Sequence, residues 1–301
     1  MKLKINIRVL IFIFLSCFAG ALSQTVNAND RLTIYTVNYP LQYFAQRITG
    51  EKAQVIFPAP KDVDPAFWVP DSKTINAFQT ADMILLNGAN YAKWVNKASL
   101  PRLRIVNTSK AFKQHWIQTT TGVAHSHGTG ADHSHTGIAF TTWLDMQQSV
   151  LQAEAIKNAL IKKQPQFKAE FTENYTSLKN DLLTLDLELK KMSTKINNQR
   201  LIVSHPIYQY LARRYELNIR SVLWEPDEFP DEDKWLELSK LLKTHPSKWM
   251  IWEGTPKTES VSRLNKLGIQ SLVFKPCFNV PAQGDFLTVM YNNINNLNGA
   301  F

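Results

Sequence analysis

Disulfide chemistry is nearly absent from this sequence. Its 301 residues include two cysteines, Cys17 and Cys277, and the first falls in an amino-terminal leader, so the chain that remains has one thiol and relies on packing. We read Cys277 as structural, because no base stands beside it and it follows an apolar strand. Beyond the leader no apolar run approaches the roughly twenty residues of a membrane span. Lys/Arg blocks with interleaved aromatics are missing as well. The formal charge of +9 is spread along the chain and falls to +6 once Lys2, Lys4 and Arg8 are set aside, a balance that excludes a nucleic-acid footprint. There is no glycine-rich phosphate cradle and no His-Glu-x-x-His, so the common nucleotide-binding and zinc-hydrolase designs are excluded. Ser204 and His205 form no nucleophile-base pair, since neighbours on extended chain point to opposite faces. The expectation is that the protein is not an enzyme.

What is present begins with the leader. Lys2, Lys4 and Arg8 precede an apolar run from Val9 to about Leu22, and small residues follow at Val26-Asn27-Ala28. That order predicts a signal peptide over residues 1–28, cleaved after Ala28, and a periplasmic protein. Leu15-Ser16-Cys17 hints at a lipoprotein site, but Phe14 fits poorly three places before the cysteine, and this reading is disfavoured.

The chain is organised around the stretch from Pro165 to Asn197. Phe171, Tyr175, Leu178, Leu182, Leu185, Leu189, Met192 and Ile196 recur at steps of four and three, which places them on one stripe of a single long helix. Some thirty residues span roughly 45 Å, a strut across two lobes. The repeat covers barely four heptads, too few for a dimerising coiled coil, and the expected state is a monomer. On either side short apolar runs alternate with amphipathic stretches, the pattern of parallel sheets covered by helices. The predicted class is α/β, two lobes with parallel sheets joined by one rigid helix: an amino-terminal lobe over 29–163, a linker helix over 164–198, and a carboxy-terminal lobe over 199–301. Within the first lobe Tyr91 to Ala98 reads as a helix. A ligand belongs in the cleft, beyond the carboxyl ends of the strands.

A loop over 124–136 interrupts this rhythm. His125, His127, His133 and His135 fall within eleven residues, spaced by Ser, Gly and Thr that cannot build a core. Paired His-x-His units suit Zn(II), Cu(II) and Ni(II). His115 and His245 read as surface residues. The acidic run Glu225 to Asp233 reads as a solvated turn into a helix, because Pro226 and Pro230 interrupt it.

Val203-Ser204-His205-Pro206-Ile207-Tyr208 and the aromatic-rich residues after it, together with Ala81-Asp82, Asn87-Gly88, Trp94, Trp252-Glu253 and Gly284-Asp285-Phe286-Leu287, resemble the solute-binding proteins of zinc and manganese ABC transporters, the ZnuA/TroA type. The resemblance covers the whole mature chain. It implies two α/β lobes joined by a long helix, a metal ion as cargo and a membrane ABC permease as partner, with His205 as a metal ligand. It also implies histidines where this chain has Ala66 and Thr141, and an aspartate where Lys275 stands; Lys275, pointing into the cleft, would repel a cation. One imidazole cannot hold zinc alone, so the expected grip is the loop histidines with His205, and Asp62, Asp64 and Glu253 are the acids that could stand in.

Two readings follow. The first is an exported, zinc-binding component of an ABC uptake system, with Zn(II) foremost and Mn(II), Cu(II) and Ni(II) open. The second is a two-lobed binding module that has lost its cleft metal and holds a small organic or anionic solute, or a partner protein, against Trp68, Trp143, Thr141 and Lys275.

Overall fold

Short, mostly apolar strands pair in parallel to build two sheets of the same topology. The computed structural model describes residues 31–61, 63–119 and 137–301, and between the last two only the backbone of 124–125 and 133–134. In the first half β1 (Leu32–Thr36) leads to α1 (Tyr39–Thr49), started by Asn38, whose side chain accepts the Leu41 amide at 3.1 Å. Then come β2 (Ala53–Ile56), α2 (Ser72–Thr80) capped by Asp71, β3 (Met83–Leu86) and β4 (Ile105–Asn107). They pair in the order β2-β1-β3-β4, all parallel.

The helix expected over Tyr91 to Ala98 is replaced by one 3-10 turn, Lys93–Asn96. Ala89, Asn90 and Ala92 take left-handed backbone, with φ of 49°, 58° and 51°, which an α-helix cannot accommodate. The apolar pattern there serves burial of Tyr91 and Trp94 in a loop.

Four two-residue strands follow: β5 (Gln118–Thr119), β6 (Ala124–His125), β7 (His133–Ser134) and β8 (Gly137–Ile138), with β5 antiparallel to β8 and β6 to β7. His125 and His133 face each other in the backbone register; the side chains of all four loop histidines lie outside the described residues.

Next comes α3 (Met146–Lys163), started by Asp145, and then α4 (Lys168–Ile196), which 3-10 residues Pro165–Phe167 precede. All eight apolar positions of the α4 stripe are buried, packed against α1 and α3, and the helix ends where Asn197 turns left-handed at φ 48°. Its 29 residues span about 44 Å.

The second half repeats the rhythm with β9 (Arg200–Val203), α5 (Gln209–Arg214), β10 (Asn218–Ser221), α6 (Glu232–Thr244), β11 (Trp249–Trp252), α7 (Thr258–Lys266), β12 (Gln270–Val273) and α8 (Phe286–Asn298). The order is β10-β9-β11-β12, again all parallel. One core runs from the first sheet through the α4 stripe to α8, and a smaller one around Trp224, Trp235 and Trp252 backs the second sheet. Among the described residues no helix is long and apolar enough to cross a membrane.

Candidate metal site

The second sheet reverses direction at β9, with β10 on one side and β11 on the other. Such a reversal leaves a crevice beyond the carboxyl ends of the strands. His205 comes just after β9, Glu225 from the loop after β10, and Glu253 directly after β11. Their ligand atoms all lie within 4.8 Å of one another. His205 Nδ1 stands 3.6 Å from Glu225 Oε1 and 3.5 Å from Glu253 Oε1, with the side chains only 2%, 9% and 11% exposed.

Backbone bonds fix these positions. The Ser204 amide donates to the Ile251 carbonyl and the Trp224 amide to the Ser204 carbonyl, both at 2.8 Å, so the three loop bases are stitched side by side. Gly254 lets the two acid-bearing loops touch: a Cβ there would meet Pro226 Cγ at 3.2 Å.

Across the crevice, Asp64, Tyr91, Phe140, Thr141, Trp143 and Phe278 complete a pocket with His205, Ile207 and Glu253. Asp64 Oδ1 accepts the Ala66 amide at 2.8 Å, and the Asp64 carbonyl takes the amides of Phe67 and Trp68, a tight turn that sets the carboxylate at the rim. Tyr91 packs edge-on against Phe140 and Trp143, at 5.3 and 5.6 Å between centroids. Burial pushes the Glu253 carboxyl well above its usual range, and Glu225, Asp64 and Asp227 push it further. The pocket therefore gathers carboxyl groups in a dry place where ionising them together is costly, and a divalent cation would relieve that cost.

The geometry fits a metal ion. Two ligands about 2.1 Å from one zinc ion at a tetrahedral angle are about 3.4 Å apart. The 3.5 and 3.6 Å separations match that spacing and exceed ordinary hydrogen-bond lengths.

Several expectations need correction. Lys275 does not point into the cleft: it is exposed, and its backbone amide and carbonyl bond the Asn293 side chain, both at 2.8 Å. The group that its segment presents to the pocket is Phe278. Ala66 is buried beside Asp64, and the Thr141 hydroxyl donates to the Ile207 carbonyl. Trp143 does line the pocket, donating from Nε1 to the Pro276 carbonyl at 2.8 Å; Trp68 does not. Asp62 lies outside the described residues. The acidic run is not wholly solvated, because its first member, Glu225, is buried in the site. His245 is not at the surface: it is 6% exposed, with Nε2 3.1 Å from the Leu201 carbonyl. His115 is exposed, and Cys277 is a buried free thiol.

Known proteins resemble this chain over most of its length. The chain is 27% identical over 323 aligned residues to the zinc-binding protein AdcA of Streptococcus pyogenes, an alignment that covers 99% of this chain and 61% of AdcA. The chain thus spans about three fifths of that relative's length. It is 25% identical to the high-affinity zinc uptake system protein ZnuA of Bacillus subtilis, covering 81% of this chain and 80% of ZnuA. Its fold superposes on the metal-dependent lipoprotein YcdH of Bacillus subtilis with a TM-score of 0.77, over 90% of this chain and all of YcdH, at 20% identity. The profile of the zinc-uptake complex component A, periplasmic, matches residues 34–300, and the chain belongs to that family.

Proposed function

We propose that the protein is the exported metal-binding component of an ABC uptake system: it takes a divalent transition ion, zinc foremost, into the cleft and presents it to a membrane permease. The family is one of uptake components rather than enzymes. The observation that carries the reading is the convergence of His205 Nδ1 with two buried carboxylates at co-ligand spacing. His125, His127, His133 and His135 supply four more imidazoles, in paired His-x-His units of a kind suited to binding transition ions. The family description and the leader's layout support a periplasmic setting.

An organic anion is poorly served by this cleft. Asp64, Glu225 and Glu253 would repel it, and Lys275 faces solvent.

Calorimetric titration of the chelator-treated protein tests the reading. The expected result is a saturable cleft event with zinc that His205→Ala abolishes, with further, weaker binding lost when the four loop histidines are changed to serine. No heat and no thermal stabilisation at micromolar ion would reject it.

A further inference from the structure

We infer that Tyr91 is a positioning residue of the cation site, whose hydroxyl donates a hydrogen bond to an oxygen bound to the ion and so slows the ion's release. The inference rests on the metal-binding reading above and adds to it a residue that is not itself a ligand.

The observation that carries it is a buried phenol. Tyr91 is 6% exposed, and its Oη has no hydrogen-bond partner among the described residues. Three other buried tyrosines differ. The hydroxyls of Tyr208, Tyr210 and Tyr215 donate to the Phe274 carbonyl at 2.7 Å, the Ala139 carbonyl at 2.9 Å and Asp186 Oδ1 at 3.0 Å. Leaving a buried hydroxyl unpaired is costly, and such a group calls for an explanation in function. Tyr91 lines the same pocket as Asp64, His205 and Glu253. Burial, and after it the nearby Asp64 carboxylate, pushes the phenol above its usual range, so the hydroxyl lies within the field of a group at the site.

The surroundings hold the ring in place. The Tyr91 amide donates to the Gly88 carbonyl at 3.0 Å, left-handed Asn90 and Ala92 flank it at φ 58° and 51°, and Phe140 and Trp143 meet the ring edge-on. A donor held this way is set before the ion arrives. A phenol keeps its proton at neutral pH, so Tyr91 serves the oxygens around the ion, carboxylate or water, as a donor rather than joining them as a phenolate. Groups in this outer position orient the ligands, and their loss typically costs about 10–100-fold in metal affinity.

The test uses the full chain, with its loop histidines in place, and compares it with Tyr91→Phe, which removes the hydroxyl alone. For the zinc-binding event that His205→Ala abolishes, Tyr91→Phe is expected to lower the affinity about tenfold or more, with faster transfer of zinc to an excess of coloured chelator. Without ion, its urea midpoint is expected to equal or exceed the parent's, because removing this hydroxyl strands no partner. A lower ion-free midpoint would make the tyrosine a structural prop and overturns the inference. Unchanged affinity in the folded variant overturns it as well and leaves the proposed function standing. The Cu(II)-loaded parent is expected to lack a phenolate charge-transfer band; a band that Tyr91→Phe removes would make Tyr91 a ligand and overturn the inference. A parent chain that binds no zinc overturns both this inference and the proposed function.

Discussion

Two buried imidazoles sit at opposite ends of one strand, and their surroundings assign them different work. His205 follows the carboxyl end of β9 and faces two carboxylates, while His245 packs under its amino-terminal half against Leu201. Burial pushes the His245 ring below its usual range, Arg220 and Arg200 act in the same direction, and the Leu201 bond opposes them. Because the folded state holds this proton less firmly than the unfolded state does, His245 favours folding near neutrality, and that contribution fades as the pH falls below about 6.5. His245→Ala is expected to cost about 1–3 kcal/mol in denaturant unfolding, by stripping a buried carbonyl of its partner, while zinc still raises the midpoint. His205→Ala is expected to remove the zinc-dependent rise itself, since an ion stabilises only the state that binds it. Equal zinc responses in the two variants would contradict this division. At this scale the sequence is only partly readable. His205 was findable at a strand end in a family-like segment, and Glu253 from its place after Trp252. Glu225 was obscured by the acids and prolines around it; the signal that could have found it is its position after β10, matching His205 and Glu253 on the two neighbouring strands. Exposure of Lys275 and burial of His245 depend on packing that residue order does not reveal.

At the scale of elements, α4 was legible because a 3.6-residue period sustained over 29 residues fits little besides a helix. Its apolar stripe hides one charge. Asp186 accepts from Arg214 Nε and Nη2 at 2.9 and 2.6 Å, from Gln147 Nε2 at 3.1 Å and from Tyr215 Oη at 3.0 Å. α4 is thereby bolted to α5, which follows the His205 loop, and to the start of α3. Burial raises the Asp186 carboxyl, but these bonds outweigh it and hold the group below its usual range. A depressed carboxylate stabilises the fold above its unfolded value near 4, and the stabilisation is lost as the pH falls through the lower folded value. Asp186→Asn is expected to cost about 3 kcal/mol at neutral pH, because it leaves the Arg214 charge without its buried partner, and less in acid. Urea unfolding at pH 7 and pH 3 measures this, and a loss of the same size at both would refute the electrostatic account. The segment at Tyr91 to Ala98 behaves in the opposite way: its hydrophobic spacing imitates a helix, while left-handed Ala92 within it, after left-handed Ala89 and Asn90, breaks the helical path.

For the whole molecule, the two sheets are held by more than α4. The Tyr39 amide donates to the Phe278 carbonyl at 3.0 Å, Trp143 Nε1 to Pro276, Thr141 to Ile207, Tyr210 Oη to the Ala139 carbonyl at 2.9 Å, and Asn279 Nδ2 to the carbonyls of Pro60 and Val63 at 2.6 and 2.9 Å. Phe286 of α8 packs on Tyr43 and Phe44 of α1, with centroids at 5.8 and 5.4 Å. These bonds encircle the pocket, and several are buried, where breaking one without replacement costs about 1–3 kcal/mol. Opening the halves as on a hinge would break most of them together, more than a coupling of a few kcal/mol from one ion could repay. Ion entry should therefore proceed through side chains and the loops at the rim, with the sheets keeping their relation. Small-angle scattering of the chelated and zinc-saturated protein is expected to give the same radius of gyration within error, while amide exchange slows in the loops carrying Asp64, His205, Glu225 and Glu253. A measurable contraction on zinc binding, with exchange slowed along α4 as well, would mean that the bridging bonds yield and that the two halves close on the ion.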